Sequence, residues 1–211
     1  MNHQAMLQIS DWIFDLDNTL YPKNSGLWGQ VDARITAWIT HFFDISEAEA
    51  MAIRKDYFLR YGTALRGLMK EYQVKPEEYL DYIYKIDYSV LSRDSLLQSQ
   101  LASIPGRKII FTSSPKWHAT QVLEVLGISS QITDIFDIAD AGYVPKPAEQ
   151  TYERFIDKFG IVPEHAIMFE DTLANLSIPK VFGMKTVFIT TSMQHEDHYA
   201  CENVNDFFKA L

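Results

Sequence analysis

The chain has 211 residues, 47% of them apolar, enough for one core domain carrying a subdomain or for two small domains, and a composition that argues against wholesale disorder. A formal charge of −9 argues against a nucleic-acid polymer or an anionic membrane as the main partner, since both need clustered Lys and Arg, and an anionic substrate would need a local device to overcome this field. No apolar run approaches the roughly 18 residues of a membrane span, and the opening MNHQAMLQIS lacks the basic-then-apolar layout of a secretory signal.

The first predicted element is WIF at 12–14, an apolar run that stops at Asp15, two residues before Asp17. Helical patterns follow. Trp28, Val31, Ile35, Trp38, Ile39 and Phe42 form one apolar stripe, better suited to a small core than to stacking a base. Ser46 with Glu49 forms a capping box that opens a helix ending at Gly62. Further helices are predicted over Thr63–Tyr72, Pro76–Ile86 and Asp94–Ser103. The run KIIF at 108–111 is the next strand. A helix over 115–126 follows, opening at Pro115 and stopping at Gly127. DIFDI at 134–138 is a weaker strand candidate. Residues 147–159 carry Tyr152, Phe155, Ile156 and Phe159 at helical spacing before Gly160. AIMFE at 166–170 and KTVFI at 185–189 complete the strands. Apart from DIFDI, each run is brief and apolar rather than alternating, as parallel strands covered on both faces are. Cys201, the sole cysteine, permits no intramolecular disulfide and fits a cytoplasmic location. The strand–helix alternation from about 107 onward predicts an α/β fold with a parallel sheet, interrupted after its first strand by an all-helical insertion.

In such sheets, sites form at the carboxyl edge. There the sequence delivers Asp15 and Asp17, then Thr112 and Ser113 from IIFTSSP, Lys146 from VPKPA, and Glu170 and Asp171 from MFEDT. Each alone is ordinary: a turn, a helix cap, a surface lysine, a solvated pair. Their joint arrival at one edge is what points to chemistry. His118 and His165 fall near predicted helix starts and are expected on the surface, and Met168 and Met184 in the core.

In order and wording these motifs resemble the haloacid dehalogenase-like (HAD) hydrolase superfamily: FDLDNTLYP its first motif, FTSS the second, KP the third and FEDT the fourth. The resemblance covers the whole chain. It implies a Rossmann-like parallel core (1–21 and 104–211) with an inserted helical cap of the C1 type (22–103). LYP, RYGTALRGLM at 60–69, DYSVL at 87–91, VPKP and FEDTLANL are similar to the pyrimidine 5′-nucleotidase branch. The second motif reads Thr112-Ser113-Ser114 where that branch commonly has Thr-Asn.

The resemblance implies that Asp15 attacks phosphorus to form an aspartyl-phosphate, while Asp17 protonates the leaving alcohol and then takes a proton from the hydrolytic water. Asp17 favours a phosphatase over a dehalogenase, which has no alcohol to protonate. Thr112, Ser113 and Lys146 would hold phosphoryl oxygens. Four carboxylates carry about −4 and the phosphate up to about −2, against one lysine, so Mg²⁺ is expected. Its ligands would be Asp15, Asp171, the backbone carbonyl of Asp17 and, through water, Glu170. The remaining negative charge should raise the pKa of Asp17. Thr19 would brace the loop or serve as an ordinary turn residue. In the cap, Tyr61, Thr63 and Arg66 are candidates for reading the leaving group; equally, Tyr61 and Leu65 could pack the cap and Arg66 be solvated.

The expected partner is a small phosphorylated metabolite, with a pyrimidine nucleoside 5′-monophosphate foremost and a sugar phosphate as alternative, met by a monomer or homodimer. A phosphorylation-switched signalling module uses similar residues, but it is shorter, lacks a cap and orders its motifs differently. A catalytically silent binding protein fits poorly with a complete motif set.

Overall fold

The computed structural model describes residues 8–192 and 195–210. Residues 1–7, which hold most of the opening stretch read for a secretory signal, lie outside them. One six-stranded parallel sheet organises the chain: β1 (Asp11–Phe14), β2 (Arg107–Phe111), β3 (Asp134–Phe136), β4 (Ala166–Glu170), β5 (Lys185–Ile189) and β6 (Tyr199–Cys201), in the order β3-β2-β1-β4-β5-β6. The chain winds outward from β1 in one direction through β2 and β3, then restarts on its other side with β4. The carboxyl edge beside β1 is therefore the switch point at which such sheets bind ligands. The DIFDI candidate contributes only its first three residues. β6 has no expected counterpart, because Tyr-Ala-Cys is too short to show a period.

Five helices separate β1 from β2: α1 (Leu27–Phe43), α2 (Glu47–Tyr61), α3 (Ala64–Tyr72), α4 (Pro76–Ile83) and α5 (Ser95–Ser103). The capping box at α2 forms as its sequence dictates, and Gly62, at φ 85°, ends that helix in a conformation costly for other residues. α4 stops three residues short of Ile86. The backbone leaves the helix at Tyr84 with neither Gly nor Pro to signal the stop. The remaining helices are α6 (Lys116–Leu126), α7 (Glu149–Phe159), α8 (Ser177–Val181) and α9 (Val204–Lys209). Among the described residues, no helix is long and apolar enough to cross a membrane.

Strand parity sorts the core into two layers. Trp12, Phe14, Ile110, Ile167 and Phe169 face one way and meet Leu97 and Leu101 of α5, Val122 and Leu126 of α6, and Phe207 of α9. Ile13, Ile109, Phe111 and Met168 face the other way and meet Tyr152 and Phe155 of α7, with Leu176 and Met184 beyond. On that side Phe155 stacks on Phe111 with centroids 4.5 Å apart, and Phe136 meets Phe155 edge-on at 5.5 Å. Phe155→Ala empties this site, so a loss of about 3–5 kcal/mol is expected in urea unfolding; a loss under about 1 kcal/mol would contradict the packing described.

A third cluster unites α1 to α4 through Val31, Ile39, Tyr57, Leu68, Tyr79 and Ile83. Trp38 is half-buried against it, stacked on Phe42 and edge-on to Tyr79. The inserted segment thus packs in two groups: α1 to α4 on one another, and α5 on the sheet.

Candidate active site

The β1 ladder runs one residue past the strand, with Asp15 N–H donating to the Phe169 carbonyl at 2.9 Å. Ile13 lies beside Met168, so two residues on, Asp15 lies beside Glu170 on the same face. α7 covers that face, and the loop leading into it brings Lys146. The Lys146 ammonium donates to Asp15 Oδ1 at 2.7 Å, Glu170 Oε2 at 2.6 Å and the Phe111 carbonyl at 2.9 Å. Thr19 Oγ1 donates to Asp15 Oδ2 at 2.9 Å, so both Asp15 oxygens are aimed. The Thr172 N–H holds the other Glu170 oxygen. All these side chains but Thr172 are buried. Burial pushes the Asp15 and Glu170 carboxyls up, partly opposed by Lys146. It would push the Lys146 ammonium down, but the two carboxylates outweigh it and hold that group well above its usual value.

Asp17 is engaged from the opposite side of the sheet. The chain no longer runs straight there: it turns through Asn18 at φ 62°, a conformation Asn tolerates. Asp17 Oδ1 accepts from the Tyr21 hydroxyl at 2.6 Å and meets His118 Nε2 at 2.9 Å, while Ser114 Oγ donates to Oδ2. Burial would raise this carboxyl. The His118 ring, by charge and hydrogen bond, with the Ser114 and Tyr21 hydroxyls, holds it below the ordinary carboxylate value. The expected rise is therefore corrected to a fall: charge counting omitted three donors.

His118 is a second correction. Far from the surface, its ring is wholly buried. The signal was present, since His118, Val122 and Leu126 recur every four residues on the buried stripe of α6. Ser114, rather than its neighbour Ser113, makes the polar contact, and its N–H donates to Thr112 Oγ1 at 3.0 Å. Ser113 is half-buried beside them. His165 is exposed, and Met168 and Met184 are buried, as expected.

In the inserted helices, Thr63 caps α3 by accepting from Arg66 N–H. Tyr61 is held by Arg60 and donates to Glu71 at 2.6 Å. Arg66 is half-buried, and the arginine ion pairs among the described residues are those of Arg54, Arg60 and Arg107. The turn before α3 lies against the Lys146 loop: a Cβ on Gly62 would sit 3.0 Å from Pro145. Tyr143, in the same loop, donates to Glu77 of α4 at 3.1 Å.

Asp15, Glu170 and Asp171 each offer a carboxylate oxygen, all within 4.8 Å of one another. An all-oxygen, anionic donor set suits a hard divalent cation. Asp171 also meets Lys23 at 2.9 Å, but that lysine is largely exposed and the pair counts for little. The Asp17 carboxylate lies outside the set.

The chain is similar to several known proteins. Over 153 residues the chain is 27% identical to Phosphate metabolism protein 8 of Saccharomyces cerevisiae, matching 67% of this chain but 46% of that protein, so it spans about half the length of that relative. A HAD phosphatase from Thermococcus onnurineus shares the fold at TM-score 0.63 and 18% identity, covering 96% of this chain and 97% of its own. YfnB of Bacillus subtilis, solved bound to magnesium, scores 0.61 at 16% identity over 96% and 98% of the two chains. An L-2-haloacid dehalogenase from Xanthobacter autotrophicus, with chloropropionic acid covalently bound, scores 0.61 at 14% identity over 95% and 97%. The model of the haloacid dehalogenase-like hydrolases matches residues 13–183, from the strand that delivers Asp15 to past the one that delivers Glu170. With β2 to β4, the insertion and the acidic edge all inside that match, the chain belongs to the haloacid dehalogenase-like hydrolase family.

Proposed function

We propose that the protein is a Mg²⁺-dependent phosphatase that transfers the phosphoryl group of a small phosphomonoester to Asp15 and then to water. The observation that carries this reading is the buried Asp15 carboxylate, fixed by Lys146 and Thr19, beside two further carboxylates. An Asp15 oxygen bonds to phosphorus as the bond to the leaving alcohol breaks, and Asp17 gives that alcohol its proton. Water then attacks the aspartyl-phosphate, Asp17 takes the proton, and phosphate departs with Asp15 restored. The depressed Asp17 carboxyl suits the second step directly; for the first, the incoming phosphate adds up to about two negative charges nearby and favours proton uptake. Asp15, Asp171, the Asp17 backbone carbonyl and, through water, Glu170 would hold Mg²⁺, which supplies positive charge to the phosphoryl oxygens. The magnesium bound to YfnB supports this choice of ion. Lys146, with Thr112 and Ser113, would hold those oxygens too.

The substrate we favour is a pyrimidine nucleoside 5′-monophosphate. Support comes from the RYGTALRGLM stretch, whose turn packs against the Lys146 loop and whose Arg66 is left outside the ion pairs of its helices. A screen of nucleotides and sugar phosphates tests this. The expected result is a kcat/KM for UMP or CMP about tenfold or more above sugar phosphates, a margin one polar pocket can supply. All activity should vanish in EDTA and return with Mg²⁺. No preference for pyrimidine nucleotides overturns the substrate, and full activity in EDTA overturns the metal.

A further inference from the structure

We propose that His118, backed by Tyr88, is a positioning residue for Asp17, setting the direction in which that carboxylate meets the leaving oxygen. The inference rests on Asp17 acting as the acid. The geometry is specific. Asp17 Oδ1 meets His118 Nε2 at 2.9 Å, and His118 Nδ1 meets the Tyr88 hydroxyl at 2.9 Å. Nε2–H donates to the carboxylate, which can only accept, and Nδ1 pairs with the Tyr88 hydroxyl. The ring is clamped as well as bonded, lying 4.4 Å from the Tyr84 ring and 5.6 Å from the Tyr88 ring. Tyr84 also donates to Ser114 Oγ at 2.7 Å, and Ser114 donates to the other Asp17 oxygen. Both carboxylate oxygens are thus reached by a residue at the β2–α6 junction whose own partner is a tyrosine between α4 and α5. Tyr21 adds a donor on Oδ1. A histidine that only filled space would not need both nitrogens matched in line with an acid.

A residue that merely supports the fold would, when replaced, slow every substrate alike. One that aims the acid slows those whose leaving group needs a proton. The test compares kcat/KM, which ends at departure of the leaving group, for p-nitrophenyl phosphate and for the best alkyl phosphate found in the screen. p-Nitrophenolate leaves unprotonated; an alkoxide does not. For His118→Phe, the alkyl substrate should lose about 100-fold and the aryl substrate less than about threefold, the range of general-acid assistance. His118→Gln, which keeps an N–H donor at the Nε2 position, should recover most of the loss. Tyr88→Phe, which deletes one hydroxyl, should show a smaller split of the same kind.

Equal losses on both substrates, or none in any of these variants, overturn the proposal. Asp17→Asn serves as reference. If it shows no split, the acid assignment fails and takes this inference with it. If it shows the split while the His118 and Tyr88 variants do not, the positioning role alone fails.

Discussion

Asp15→Asn is expected to abolish turnover of p-nitrophenyl phosphate, lowering kcat by about 10⁴-fold or more, the scale seen when a nucleophile is removed. An amide cannot accept the phosphoryl group, and here nothing replaces it: Glu170 is tied to Lys146 and the Thr172 N–H, and Asp17 to three donors on the other side of the sheet. Stability should move by no more than about 1–2 kcal/mol, because Asn keeps the shape and Lys146 keeps Glu170 and the Phe111 carbonyl. A folded Asp15→Asn protein with more than about a tenth of wild-type kcat would end the covalent scheme. Its companion, Asp17→Asn, stops later with this aryl substrate. The first step survives and the second lacks its base, so p-nitrophenol should appear as a burst of about one equivalent per protein and then nearly cease.

Lys146→Met has the second large effect, on stability as well as rate. The ammonium is the only side-chain cation meeting Asp15 and Glu170 among the described residues, and both partners are almost fully buried. Removing it leaves two carboxylates facing each other out of water, and about 3–5 kcal/mol should be lost in denaturant unfolding without metal. Added Mg²⁺ should return part of this loss, because bound cation stabilises the folded form alone. Lys146→Met with Glu170→Gln should be more stable than Lys146→Met alone, yet equally inactive, since the phosphoryl group still lacks its lysine. A single variant as stable as wild type in EDTA would show that the buried lysine does not balance these carboxylates.

The meeting of Asp15 and Glu170 was legible in the sequence because both stand where continuous apolar runs, read as parallel strands, end at one carboxyl edge; Lys146 comes from a loop and was marked by VPKPA. β6 was illegible because three residues carry no period. The surroundings of Asp17 were only partly legible. The sequence marked Asp17 itself, but its direction depends on the chain leaving the strand and turning at Asn18, which reverses the simple rule for residues two apart. The burial of His118 could have been read from its spacing with Val122 and Leu126. Proximity to the helix start suggested the surface instead, and that argument loses where the first turn of α6 enters the core. Tyr84 and Tyr88 could not have been found. They reach the acid through tertiary contact: nothing local marks Tyr84, and DYSVL, which contains Tyr88, does not show that its hydroxyl meets His118.

A parallel sheet must be shielded on both sides, and α5 supplies Leu97 and Leu101 to that shield while α1 to α4 pack on one another. The stretch 28–83 is therefore the natural exchangeable cassette. A chimera that imported it from a relative could acquire new substrate recognition, keeping its own Tyr84, Tyr88 and catalytic sheet. A swap cut at the strand boundaries would instead bring in a foreign sheet cover, and both chemistry and folding would suffer together.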